Sequence, residues 1–151
     1  MRKIVSTSII VLIIDQLLKL VIKLNLKELE SIVIIPKFFS ITLAYNSGAA
    51  WSILANERFF LIIISIIFLT LIYYYIKNNE SVNKYESIGY GVLIGGILGN
   101  LIDRITLGYV VDYLSFNIFN YNYPIFNFAD ICIVVSIFFL VLGEVIGWKS
   151  K

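Results

Sequence analysis

The sequence predicts an all-α membrane protein of four transmembrane helices, with a small β-sheet on its outer surface formed from the first outer loop. Three observations lead there. Sixty per cent of the 151 residues are A, V, I, L, M, F, W, Y or C, where about half is usual even with glycine counted. Only 15% are charged, against roughly 25% in soluble domains, and the mean hydropathy is +0.91. Four separate stretches also approach the run of about 20 apolar residues that a hydrocarbon core about 30 Å thick requires. So few charges cannot cover the surface of a water-soluble domain of this size, and so apolar a chain is not disordered.

The first span is expected over 4–22. It is apolar apart from Asp15, Gln16, Lys19 and three small hydroxyl residues. Its basic start, Arg2 and Lys3, resembles a signal peptide. Asp15 and Lys19 interrupt the apolar part, however, and no Ala-x-Ala-like site follows, so a retained span is expected. The second span, 59–76, carries no charge. The third, 87–107, is glycine-rich and ends in Asp103 and Arg104. The fourth, 125–148, holds Asp130 early and Glu144 late. Residues 1–151 read as a single multi-pass domain without internal repeats.

Lys and Arg near the span ends set orientation. Arg2, Lys3, Lys77, Lys84, Lys149 and Lys151 fall on one side; Lys23, Lys27, Lys37 and Arg58 fall on the other, in a longer loop. This places both termini in the cytoplasm and the 23–58 and 108–124 loops outside. Ser31–Tyr45, SIVIIPKFFSITLAY, is rich in β-branched and aromatic residues and is broken by Pro36, which suits two short strands. Asn117–Tyr123, NIFNYNY, has the aromatic character of a membrane interface. Together these loops form an outer platform or serve only to anchor the spans.

Composition also limits the chemistry. There is no histidine and one cysteine, Cys132. Ser-His-Asp and Cys-His catalysis, His-ligated zinc, cysteine metal clusters and intrachain disulfides are thereby excluded. No metal or cofactor is expected. The net charge of +2 and the absence of a basic run give no reason to expect nucleic acid. Cys132, within an apolar span, reads as packing.

An Asp, Lys or Arg facing lipid at a span centre costs about 2.5 to 3.5 kcal/mol. Asp15, Lys19, Arg104 and Asp130 must therefore face one another, a cavity or water. Asp15 and Lys19, four apart, suit an ion pair or a supporting place beside a site. Gly91, Gly95 and Gly99 form a small-residue stripe for close helix packing. Asn100 and Arg104 share a face at the outer end, where they can hold a substrate carbonyl or headgroup or tie the helix to the loop. Asp103 is expected to pair locally with the adjacent Arg104. Asp112, just past the third span, and Asp130, one turn into the fourth, lie at similar depth on the outer side. Asn127 precedes Asp130 by three residues and can hydrogen-bond a carboxylate. The two carboxylates are either unrelated interface groups or a pair sharing one proton, in which one activates water and the other protonates a carbonyl. Asn46-Ser-Gly-Ala-Ala-Trp51 suggests a close backbone approach beside an interfacial Trp.

Five motifs in order resemble the lipoprotein signal peptidase (signal peptidase II) family. They are Asp15-Gln-Leu-Leu-Lys19, Asn46-Ser-Gly-Ala-Ala-Trp51, Gly95-Gly-Ile-Leu-Gly-Asn-Leu-Ile-Asp-Arg104, Val110-Val-Asp-Tyr113 and Phe126-Asn-Phe-Ala-Asp130. One departure is Ser47, where many members carry a second Asn. The resemblance implies an aspartyl endopeptidase of the bacterial plasma membrane with an extracytoplasmic β-cradle. Asp112 and Asp130 would be the catalytic pair. Asp15, Asn46, Asn100, Arg104 and Asn127 would line the site. The implied substrate is a diacylglyceryl-modified prolipoprotein, presented by membrane lipid and cut N-terminal to its lipidated Cys; the implied inhibitor is globomycin. A monomer is expected. Two other classes fit the composition less well: a proton-coupled transporter using a midplane acid such as Asp15, and a structural subunit whose charges pair with a partner.

Overall fold

Residues 1–48, 53–79 and 82–147 are described in a computed structural model. The described elements run α1 (Arg2–Asn25), β1 (Ser31–Ile35), β2 (Phe39–Asn46), α2 (Arg58–Asn78), α3 (Lys84–Thr106), β3 (Val110–Ile118), β4 (Tyr121–Asn122) and α4 (Phe128–Val145). All four helices are long and apolar enough to cross a membrane. Their exposed Ile, Leu, Val and Phe side chains, dense on α2 and α4, are what a lipid-facing surface requires, because hydrocarbon is the solvent there.

The central helix is α3, which packs against α1 and α4 and more lightly against α2. Glycine makes these approaches possible. A Cβ on Gly91 would lie 2.6 Å from Thr7 Cβ and 2.9 Å from the Ile4 carbonyl; one on Gly95 would lie 2.7 Å from Val11 Cβ and 2.8 Å from the Ser8 carbonyl. The stripe read from the sequence is therefore the α1–α3 seam. Gly96 serves the opposite side, where a Cβ would meet the Ala129 carbonyl of α4 at 2.7 Å. The start of α3 is closed by Asn83, whose side chain accepts from Tyr85 N and Glu86 N while Glu86 accepts from the Asn83 N–H. Its C-terminal end is closed by Arg58 of α2, which donates to the carbonyls of Arg104 at 2.7 Å and Ile105 at 2.8 Å. A cation on the last carbonyls of a helix also complements its dipole.

The expected sheet is present, and it is larger than the first outer loop alone provides. Its order is β1-β2-β3-β4, every pair antiparallel. The β1–β2 hairpin turns at Pro36, whose ring presets φ, and at Lys37, with φ +59. The remaining two strands come from the segment between α3 and α4. β3, VVDYLSFNI, contains β-branched and aromatic residues that suit a strand, and its backbone pairs with the edge β2 would otherwise expose. One face of the β2–β3 ladder packs Leu43 and Val111 against Leu26 at the end of α1. Side chains alternate along a strand, so Asp112 points to the other face. Its cross-strand partner is Ala44, and Asn46 lies two residues further on that same face.

Gly95→Ala is expected to force α1 and α3 apart, since the Ser8 carbonyl cannot yield without moving the helix. Overpacking of this kind costs about 1 to 3 kcal/mol. Thermal unfolding in detergent should show a lowered midpoint, and an unchanged midpoint would contradict the seam.

Candidate active site

The start of α4 is buried, so its first amide N–H groups need partners from outside the helix. Each has a different one. Phe128 N donates to Tyr113 Oη of β3 at 3.3 Å. Ala129 N donates to Asp15 Oδ1 of α1 at 3.1 Å. Asp130 N donates to Asn127 Oδ1 at 3.0 Å. Asn127 N donates back to Asp130 Oδ2 at 3.1 Å, completing a capping box. Asp130 is thus held in place by its own helix, by α1 and by β3.

Asn127, fully buried, also joins the two acids. Its Nδ2 donates to Asp112 Oδ1 at 2.7 Å and to Asn100 Oδ1 at 3.1 Å. Asn46 Nδ2 donates to the other Asp112 oxygen at 2.9 Å. Asn100 Nδ2 donates to Asp130 Oδ1 at 2.8 Å. Asp112 and Asp130, 18 positions apart in sequence, therefore share one amide-lined corner. Burial, then the charge of Asp130, pushes the Asp112 carboxyl up to about 7; the Asn46 and Asn127 hydrogen bonds and the more distant Lys19 only partly oppose this.

These groups open on a cavity of about 600 Å³ whose lining includes Asn46, Asn100, Arg104, Asp112 and Asp130. The rest of its wall is apolar, with Ile131, Val134 and Val135 running down α4 from Asp130. Arg104 reaches Gly48 O at 2.9 Å, and Gly48 N donates to Asn46 Oδ1 at 2.9 Å. The guanidinium thus fixes the loop that carries Asn46. Arg104 Nε is buried with no hydrogen-bond partner among the described residues.

Asp15 and Asn127 stand behind this wall rather than on it. Asp15 has no exposed surface and forms the expected ion pair with Lys19, at 2.8 Å. Asp103 departs from expectation. It pairs with Lys19 across the α1–α3 seam, also at 2.8 Å, and not with Arg104. Consecutive helical residues point about 100° apart, so one faces α1 while the other faces the cavity. Gln16 was not singled out from the sequence. It donates to Asp103 Oδ1 at 3.0 Å and Asp15 Oδ2 at 3.2 Å; its place one turn before Lys19 was the available signal. Of the Asn46–Trp51 motif, residues 49–51 lie outside the described residues.

The signal peptidase (SPase) II family model matches residues 7–146. The chain belongs to the signal peptidase II family. It is 38% identical over 144 residues to a lipoprotein signal peptidase of Staphylococcus aureus strain bovine RF122 / ET3-1, covering 95% of this chain and 88% of that protein. With the protein of the same name from strain JH9 it shares 40% over 145 residues, at the same coverage. A bacterial membrane enzyme solved by the in meso method at 2.3 Å superposes with a TM-score of 0.89 at 34% identity, covering 100% of this chain and 92% of that one. A second, solved at 1.9 Å, gives 0.85 at 35% identity, covering 95% and 93%. The protein is accordingly a multi-pass bacterial membrane peptidase of the signal peptidase II family.

Asn127→Asp separates two roles of one side chain. Asp is as good a helix cap as Asn, but it places a carboxylate oxygen against Asp112 in place of a donor. Peptidase activity is expected to fall at least about tenfold, and the thermal midpoint to drop more than in Asn127→Ala, because a buried acid facing Asp112 costs more than a cap worth about 1 kcal/mol. Equal activity in Asn127→Asp and wild type would contradict the donor role.

Proposed function

We propose that this chain is an aspartyl endopeptidase that removes the signal peptide from diacylglyceryl-modified prolipoproteins, cutting N-terminal to the lipidated Cys. The observation that carries this reading is the convergence of Asp112 and Asp130 on one cavity through the shared Asn127. Family membership and the names of the Staphylococcus aureus relatives support it.

In this mechanism one carboxylate of the pair takes a proton from water as the water oxygen bonds to the scissile carbonyl carbon. The other, protonated, gives its proton to the carbonyl oxygen. Collapse of the tetrahedral intermediate breaks the C–N bond, and the amine leaves with a proton returned by the pair. Two close carboxylates in low dielectric do not both ionise readily, so a single proton is retained for this purpose. Arg104 lines the cavity, and its guanidinium is a donor suited to a backbone carbonyl of the substrate. The apolar wall along Ile131–Val135 suits a substrate anchored in the bilayer, which reaches the acids without leaving lipid and at a lower orientational cost.

The arrangement of Lys and Arg favours cytoplasmic termini and a site near the outer face. The chain acts as a single-domain monomer in this reading, with no cofactor, and a globomycin-type cyclic peptide competes for the cavity.

Asp112→Asn and Asp130→Asn are each expected to lower cleavage of a purified diacylated prolipoprotein by about 10²- to 10⁴-fold while the protein still inserts. Wild-type cleavage by either folded variant would overturn the proposal. Activity is also expected to decline as pH rises through about 7, where Asp112 gives up its proton. The sign for stability is the same. A carboxyl with a raised pKa stabilises the fold fully below its unfolded value near 3.9, and that contribution is lost as pH rises through the folded value. A kcat/KM profile still flat at pH 9 would count against the protonated pair.

A further inference from the structure

Lys19 does more than neutralise Asp15. Its ammonium has three protons and three acceptors. Asp15 Oδ2 and Asp103 Oδ2 lie at 2.8 Å, and Asn100 Oδ1 lies at 3.0 Å. Two carboxylates on opposite sides of the seam, one on α1 and one on α3, fix the position of Nζ. Gln16 holds both carboxylates from a third direction. The side chain is 3% exposed, so no water competes for the third bond.

That third bond determines which way the Asn100 amide faces. Asn100 Oδ1 receives Lys19 Nζ and Asn127 Nδ2. Turning the amide over would set its NH2 against an ammonium and another NH2, leaving buried donors facing donors. The NH2 is therefore directed at Asp130 Oδ1, 2.8 Å away. The charged groups around this corner are Asp15 on α1, Asp103 and Arg104 on α3, Asp112 on β3 and Asp130 on α4. Lys19 bonds to the Asn100 side-chain amide, whereas Arg104 bonds to the Asn100 backbone carbonyl.

We propose that Lys19 is a positioning residue for peptide hydrolysis: seated between Asp15 and Asp103, it locks the Asn100 amide so that its NH2 holds the Asp130 carboxylate in register with Asp112. This rests on the reading of Asp112 and Asp130 as the reacting pair. Lys19 does not border the cavity, so its effect falls on the chemical step and not on substrate capture.

Removing Lys19 alone would strand two buried carboxylates. The test therefore uses Lys19→Met combined with Asp15→Asn, which keeps the net charge of the cluster and an acceptor for Ala129 N. Full-length protein in detergent is assayed with a diacylglyceryl-modified prolipoprotein for kcat and KM, and its thermal midpoint is recorded. The expected result is a kcat lowered about 10- to 100-fold, the scale of a displaced reacting group, with KM held within about twofold. In an Asn100→Ala background the same two substitutions should lower kcat no further, because the link they break is already gone. A kcat near wild type in the folded variant would overturn the proposal, as would a loss that multiplies fully onto Asn100→Ala. Should the double variant fail to fold, Lys19→Met combined with Asp103→Asn, which also keeps the net charge of the cluster, carries the same expectation and the same two contrary outcomes. Asp112→Asn and Asp130→Asn are assayed alongside. If they are inactive and Lys19 is silent, only the positioning role falls; if they are active, the reacting pair itself is wrong.

Discussion

A buried helix N-terminus needs acceptors, and the rest of the site follows from how α4 obtains them. Asp15 crosses from α1 to take the Ala129 amide, Tyr113 comes from β3 to take that of Phe128, and Asn127 takes that of Asp130. Each acceptor ties α4 to a different part of the chain. The price of using Asp15 is a second buried charge, which requires a cation. Lys19, one turn along α1, supplies it, and Asp103 joins from α3. The polar cluster beneath the cavity is therefore a consequence of seating α4, in surroundings where an unpaired charge would cost several kcal/mol.

Glycine on α3 is the geometric counterpart. A Cβ on Gly99 would collide with Asp15 Oδ2 and touch Ala129 Cβ at 3.4 Å. α1, α3 and the first turn of α4 therefore meet at one residue without a side chain. The same closeness that packs the bundle brings Asp15 within reach of the Ala129 amide, so packing and electrostatics cannot be altered independently at this point.

Local features were legible in the sequence; long-range ones were less so. Hydropathy marked the four helices, Pro36 marked the β1–β2 turn, and the four-residue spacing marked Asp15–Lys19, because each depends on neighbours in the chain. The sharing of a cavity by Asp112 and Asp130 was legible as two acids at similar depth. Asp103 was read against its neighbour Arg104, yet its partner is 84 positions away. Adjacency in sequence says little about facing in a helix, and the rotation of α3 that turns Asp103 toward α1 is set by the glycine seam. In the segment between α3 and α4, NIFNYNY shows only interfacial aromatic character by composition. The segment's strands form because β2 is there to pair with, and a pairing partner more than 60 residues away leaves no local trace. The role of Lys19 toward Asn100 was hidden for the same reason.

The acids are held by amides, with the cations set one bond further back. Asp112 receives Asn46 and Asn127; Asp130 receives Asn100 and the Asn127 backbone. Lys19 reaches Asp130 through Asn100, and Arg104 reaches Asp112 through Gly48 and Asn46. This spacing has a chemical consequence. A guanidinium or ammonium directly on a carboxylate favours its ionised form and lowers its pKa by one to three units. Neutral amides fix both carboxylates while stabilising the charge far less, so Asp112 can still hold a proton near neutral pH. The cations supply rigidity to the amides instead. A pair that must alternately take and return one proton needs such an environment, with firm positions and an undecided charge.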